Sequence, residues 1–140
     1  MSALTNDAGT LRFTLTAAGD GLATAAVEFL DARDKGFWPL VQLPVVHLAA
    51  QALRSLAQMT VPVVAGKTDS FAWRGGSGEE LALSVAREGE AWIVEVGIDL
   101  SAYLRETAHV FVAPQRELAL FRFHTTAALL QAFADGLRSA

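Results

Sequence analysis

Cysteine is absent from the 140 residues. Disulfides, thiol catalysis and cysteine-ligated metal are therefore excluded, and stability must come from a packed core in a reducing or an oxidising compartment alike. Charge is sparse as well, with Asp, Glu, Lys and Arg making up 19% of the chain and a formal net charge of −4. The 11 basic residues are spread along the whole sequence. They form no cluster that could neutralise a phosphate backbone, so nucleic acid is not an expected partner. Long apolar runs are also missing. No segment approaches the roughly eighteen apolar residues that a transmembrane helix needs. Met1 to Thr10 has neither a basic start nor an apolar stretch, so no membrane span and no retained signal peptide are expected, and the cytoplasm is the default compartment.

What the chain does have is apolar residues, at 52%. A single domain over 1–140 is expected, long enough to bury roughly 68% of the surface its unfolded form would expose. The high apolar and low charged fractions favour a compact fold over disorder, and hint at apolar surface shared with a partner.

The longest periodic stretch is Pro44 to Met59, PVVHLAAQALRSLAQM. Val45, Leu48, Ala49, Ala52, Leu53, Leu56 and Met59 recur at helical steps, with His47, Gln51, Arg54 and Gln58 opposite, which predicts an amphipathic helix lying on a sheet. Pro44 suits its first turn and Pro62 its stop. Before it, Leu11, Phe13, Leu15 and Ala17 alternate with polar residues as a half-buried strand. Gly19, Asp20 and Gly21 form a turn, and Leu22 to Asp31 completes a hairpin. DARDKG, Asp31 to Gly36, is a charged turn leading to Phe37 to Leu43, a short apolar strand or an extended lead into the helix, which Pro39 confines to an edge or an irregular position.

After the helix, Asp69 to Arg74 restarts the alternation, and Gly75, Gly76 and Gly78 make a turn. Leu81, Leu83 and Val85, then Trp92, Val94, Val96, Ile98 and Leu100, form a hairpin with period two on both arms. Arg105 to Ala113 and Glu117 to His124 read as two more strands. Thr125 or Thr126 caps a last helix through Ser139, with a stripe of Leu129, Leu130, Phe133 and Leu137. The expected class is α+β: a curled antiparallel sheet of about seven to eight strands packed by two helices, in the order β-β-β-α-β-β-β-β-β-α.

Residue types that carry chemistry are present but scattered. His47 has Gln51, and not a ligand, four residues on, and His109 and His124 have no neighbouring carboxylate, so no metal site is expected. The serines lie in no Gly-x-Ser-x-Gly elbow, and Gly75, Gly76, Ser77, Gly78 lacks the lysine and helix of a phosphate loop. The acidic pairs Glu79/Glu80 and Asp31/Asp34 sit in solvated turns. No catalytic residue, metal or cofactor is expected. The aromatics suggest more. Trp92 and Trp73 suit core packing, whereas Trp38, beside a turn, is as well placed for an interface. Arg74 and Arg116 stand where they could flank such a patch. Trp38, Trp73, Arg74 and Arg116 are therefore the candidate partner-binding residues.

The succession of a polar first hairpin, LPVVHLAAQALRSLAQM, SFAW, LALSVARE, AWIVEVGIDL and TTAALLQAFADGLRSA resembles small bacterial proteins of the WapI immunity type and related families. The resemblance spans most of the chain and consists of element order and apolar spacing. It implies a cytoplasmic, non-enzymatic protein that neutralises a cognate bacterial toxin by binding it, and it carries over no catalytic residue. Two other readings stay open. One is a self-associating structural or scaffold domain, with Trp38 and the edge strands forming a homodimer. The other is a small-ligand-binding protein, which would need a pocket lined by Trp73, Arg74 and His124.

Overall fold

The computed structural model describes residues 1–99 and 118–139. Within them the chain is α+β, with two antiparallel sheets and two helices. Strands β1 (Ser2–Thr5), β2 (Leu11–Gly19), β3 (Leu22–Leu30) and β4 (Phe37–His47) lead into helix α1 (Ala50–Val64). Strands β5 (Ser70–Gly75), β6 (Leu81–Glu88), β7 (Ala91–Asp99) and β8 (Leu118–Thr125) lead into helix α2 (Ala127–Arg138). Each group of strands is a meander in chain order, so the described residues form two successive ββββα halves. The single curled sheet expected from the sequence is thus divided in two. The strand expected at Arg105 to Ala113 lies outside the described residues.

The halves meet along β1 and β8, where the Asp7 N–H donates to the His124 carbonyl at 2.9 Å and the Thr125 hydroxyl donates to the Thr5 carbonyl at 2.7 Å. Strands β4 and β5 are then the outer strands, each pairing on one side only among the described residues. Helix α2 lies on β1, α1 packs on α2, and both cover the core. Phe13, Leu15, Val27, Leu83, Val94, Val96 and Ile98 point from the strands toward Leu53, Leu56, Leu130, Phe133 and Leu137 of the helices. The Phe13 and Phe133 rings meet at 6.3 Å in a tilted arrangement. At Gly136 the helix comes so close to β1 that an added Cβ would lie 2.7 Å from the Ser2 hydroxyl oxygen.

Local chemistry explains the turns and caps. Asp20 and Gly21, between the paired Gly19 and Leu22, both have positive φ (55° and 70°), as a two-residue turn matched to strand twist requires. Thr126 caps α2 by accepting from the Leu129 N–H at 3.3 Å.

Helix α1 begins later than the sequence predicts. Pro44 to His47 belong to β4, which pairs Val46 with Ala23 and His47 with Leu22. The reason is a bulge: between Ala25↔Leu43 and Ala23↔Val46, two β4 residues oppose one residue of β3. Leu43 and Val46 are both buried three positions apart. A bulged strand therefore imitates the i, i+3 step of a helix. The helix stop is also displaced. Pro62 lies inside α1, and the end is made by Gly66, with φ of 76°. The Gly66 N–H donates to the Val63 carbonyl at 3.1 Å and the Lys67 N–H to the Pro62 carbonyl at 2.9 Å, the paired bonds of a glycine-terminated helix.

Candidate functional site

Two surface features stand out, one on each sheet. The first runs along β4. Trp38 and Leu40 are each 50% exposed and Val45 60%, and Phe29, paired with Trp38 across the ladder, is 38% exposed. Leu40 is the extra residue of a second bulge, between Glu28↔Pro39 and Val27↔Val41, so its side chain is released from the alternation. On the face of these strands opposite Phe29 and Trp38, Arg12 donates to Glu28 at 2.9 Å and its guanidinium lies 3.8 Å from the centre of the Phe37 ring. The turn from Asp31 to Gly36 closes the end of the strip. There the Lys35 N–H donates to the Asp31 carbonyl, and the Arg33 N–H to its carboxylate, both at 2.8 Å.

The second feature is a groove of about 320 Å³ on the face of β5, β6 and β7 turned away from the helices. Its floor is made of small residues on adjacent strands, with Ala72 opposite Ser84 and Ala82 opposite both Arg74 and Gly97. Side chains this short leave a depression that larger ones would fill. The rim carries Arg74, Glu79, Glu80, Glu95 and Leu120. Arg74 lies 3.9 Å from Glu79, Glu95 lies 3.7 Å from Arg122, and Glu80 accepts from the Gly78 N–H at 2.9 Å. Both ion pairs are more than two-fifths exposed at each member, and exposed pairs of this kind contribute little to stability. The groove is near the lower size limit of small-ligand pockets.

The four candidate residues separate on this framework. Trp38 is exposed on β4. Trp73 is 7% exposed, so its ring is a core element that reaches the groove wall from below. Its six-membered ring lies over Gly75, where an added Cβ would collide with it. Arg74 is exposed at the groove rim. Arg116 lies outside the described residues. The groove therefore brings Trp73 and Arg74 together, while Trp38 lies on the other sheet. His124 is not among the groove-lining residues, and it stands opposite Ile93 on β8. His47 is exposed at the end of β4, not on a helix.

Leu40, Val45 and Phe29 were not legible as surface residues in the sequence. The one available signal was Pro39, which marks an edge strand. Trp92 is half-buried, with Arg87 stacked 5.4 Å from its ring, and its buried indole N–H has no hydrogen-bond partner among the described residues. Among the described residues, no group of three or more His, Cys, Asp or Glu could hold a metal ion, and no helix is long and apolar enough to cross a membrane. A scan of protein-family models, a search of curated proteins and a search of solved structures each return no match to this chain.

Proposed function

We propose that the chain is a non-enzymatic protein-binding domain and that the β4 face is where it binds. The observation that carries this reading is the exposure of Trp38 and Leu40 on the outer strand β4, with Phe29 of β3 exposed beside Trp38. Isolated apolar side chains on a surface are ordinary, but a contiguous group centred on a tryptophan is the usual anchor of an interface. Strand β4 is poorly suited to accept another strand. It carries Pro39 and Pro44 and two bulges, devices that prevent continuous backbone pairing. Recognition here works through side chains. A bacterial toxin as the partner is the finer form of this reading, and it is drawn from the immunity-type resemblance alone.

The experiment compares the wild-type chain with Trp38→Glu as bait in extracts of the cells that express it. A protein retained by the wild type and lost with Trp38→Glu, in a variant whose circular dichroism is unchanged, supports the reading. Equal recovery of every partner by both baits refutes the β4 face as the binding site.

A further inference from the structure

We propose that the groove on β5, β6 and β7 binds a small guanidinium compound. It lies on the other sheet from the β4 face and stands independently of the binding assigned there. A comparison of the two halves shows what the groove lacks. Counted along β3 and β7 from the turns at Asp20–Gly21 and Gly89–Glu90, Phe13↔Val27 corresponds to Leu83↔Val96, and Arg12↔Glu28, the next pair, to Ala82↔Gly97. The flanking strands agree. Thr5 beside Arg12 corresponds to Arg74 beside Ala82, and Pro39 beside Glu28 to Leu120 beside Gly97. Alternation puts both rows on the sheet face turned away from the helices.

In the first half this row is filled. Arg12 donates to Glu28 at 2.9 Å, its guanidinium lies 3.8 Å from the centre of the Phe37 ring, and both members of the pair are less than a quarter exposed. In the second half alanine and glycine stand at the same two places, and the groove of about 320 Å³ is the space they leave. The fold thus has two equivalent places on its outer faces, one holding a guanidinium flat against the sheet and the other open.

The open place has the chemistry to receive the same group. Glu79, Glu80, Glu95 and Asp99 line it against the single base Arg74, an excess of acid that disfavours anions and selects a cation. Arg74 to Glu79 at 3.9 Å and Arg122 to Glu95 at 3.7 Å are both longer than hydrogen bonds. The Glu79 and Glu95 carboxylates therefore keep acceptor sites, which the planar fork of guanidinium N–H donors matches better than a compact ammonium does. Glu95, opposite Ser84, stands on the row next to Ala82 and Gly97. On the far wall Leu120 is exposed and offers apolar contact to a short methylene chain.

Agmatine, a guanidinium on a butyl chain ending in an ammonium, is the probe. The control is 1,4-diaminobutane, which has the same chain and the same charge. Calorimetric titration of the full chain at low salt should give saturable binding of one agmatine, roughly tenfold tighter than the diamine. The accompanying amide shifts in NMR spectra should centre on Ala82, Glu95 and Gly97. Glu95→Gln should weaken binding about fivefold. Two substitutions at Ala82 separate bulk from chemistry. Ala82→Leu fills the floor without charge and should abolish binding with no gain in Tm. Ala82→Arg tethers a guanidinium where Arg12 stands in the other half, and should abolish binding while raising Tm. Circular dichroism verifies each fold, and if Ala82→Leu does not fold, Glu95→Gln and the Tm of Ala82→Arg against the wild type carry the test. No saturable agmatine binding below about 10 mM overturns the proposal, as does equal affinity for the diamine. Binding that survives Ala82→Arg, or an Ala82→Arg protein no more stable than the wild type, overturns it as well.

Discussion

Replacing Gly75 with alanine probes the one place where β5 and the Trp73 ring exclude any further atom. Gly75 is not among the residues with positive φ, so its backbone does not require glycine. On conformational grounds alone, alanine in a strand should stabilise by about 0.5–1 kcal/mol, because glycine has more freedom to lose on folding. The structure predicts the opposite sign. A Cβ at Gly75 would lie within the Trp73 ring, and that ring is held at 7% exposure among core side chains. Overpacking of this kind costs about 1–3 kcal/mol, so the net loss should be about 1–2 kcal/mol. For a chain of this length that corresponds to a fall in Tm of roughly 3–8 °C.

Urea unfolding followed by tryptophan emission and by far-ultraviolet dichroism measures it, and the folded emission should shift to the red as the indole is displaced. The same substitution made in a Trp73→Leu background should be nearly neutral, giving a coupling energy of about 1–2 kcal/mol between the two positions. A Gly75→Ala protein as stable as the wild type, with unchanged emission, would refute the account of this wall of the groove.

Thr126→Ala removes the acceptor of the Leu129 N–H and should lower stability by about 1 kcal/mol in denaturant titrations. Gly66→Ala forces a Cβ into the left-handed conformation that closes α1 and should cost about 1 kcal/mol, with the loss visible first in hydrogen exchange of the last turn. Arg12→Ala removes an ion pair less than a quarter exposed at either member, together with the contact on Phe37. A loss of about 1–2 kcal/mol is expected. Part of that loss should shrink in high salt, and salt-independent stability differences would mean that packing on Phe37 accounts for all of it.

Several elements could be read directly because their causes are local. The β6–β7 hairpin announces itself through period two on both arms, and α2 through Thr126 followed by residues at helical spacing. The α1 boundaries could not be read in the same way. Leu43 and Val46 point inward because β3 dictates a bulge, and a bulge belongs to a pair of strands rather than to either one. Pro62 looked like a stop for a similar reason. In α1 the prolyl residue is carried inside the last turn, and Gly66 makes the end. For the candidate site, Trp38 was identifiable from its turn and the neighbouring Pro39, and Arg74 from its place at a strand end. The groove was not identifiable. Ala72, Ala82, Ser84 and Gly97 look unremarkable in sequence, and form a floor only because three strands align them.

The amino-acid order by itself determined which segments alternate, where Asp20 and Gly21 turn the chain, and that no cysteine chemistry is available. These follow from side-chain period, backbone freedom and composition, which act over a few residues. Only the tertiary structure decided that the strands divide into two sheets and that Trp73 is enclosed while Trp38 is open. Alternation states which side chains share a face. Whether that face is covered depends on where α1 and α2 come to rest, and that is settled by contacts between residues far apart in the chain.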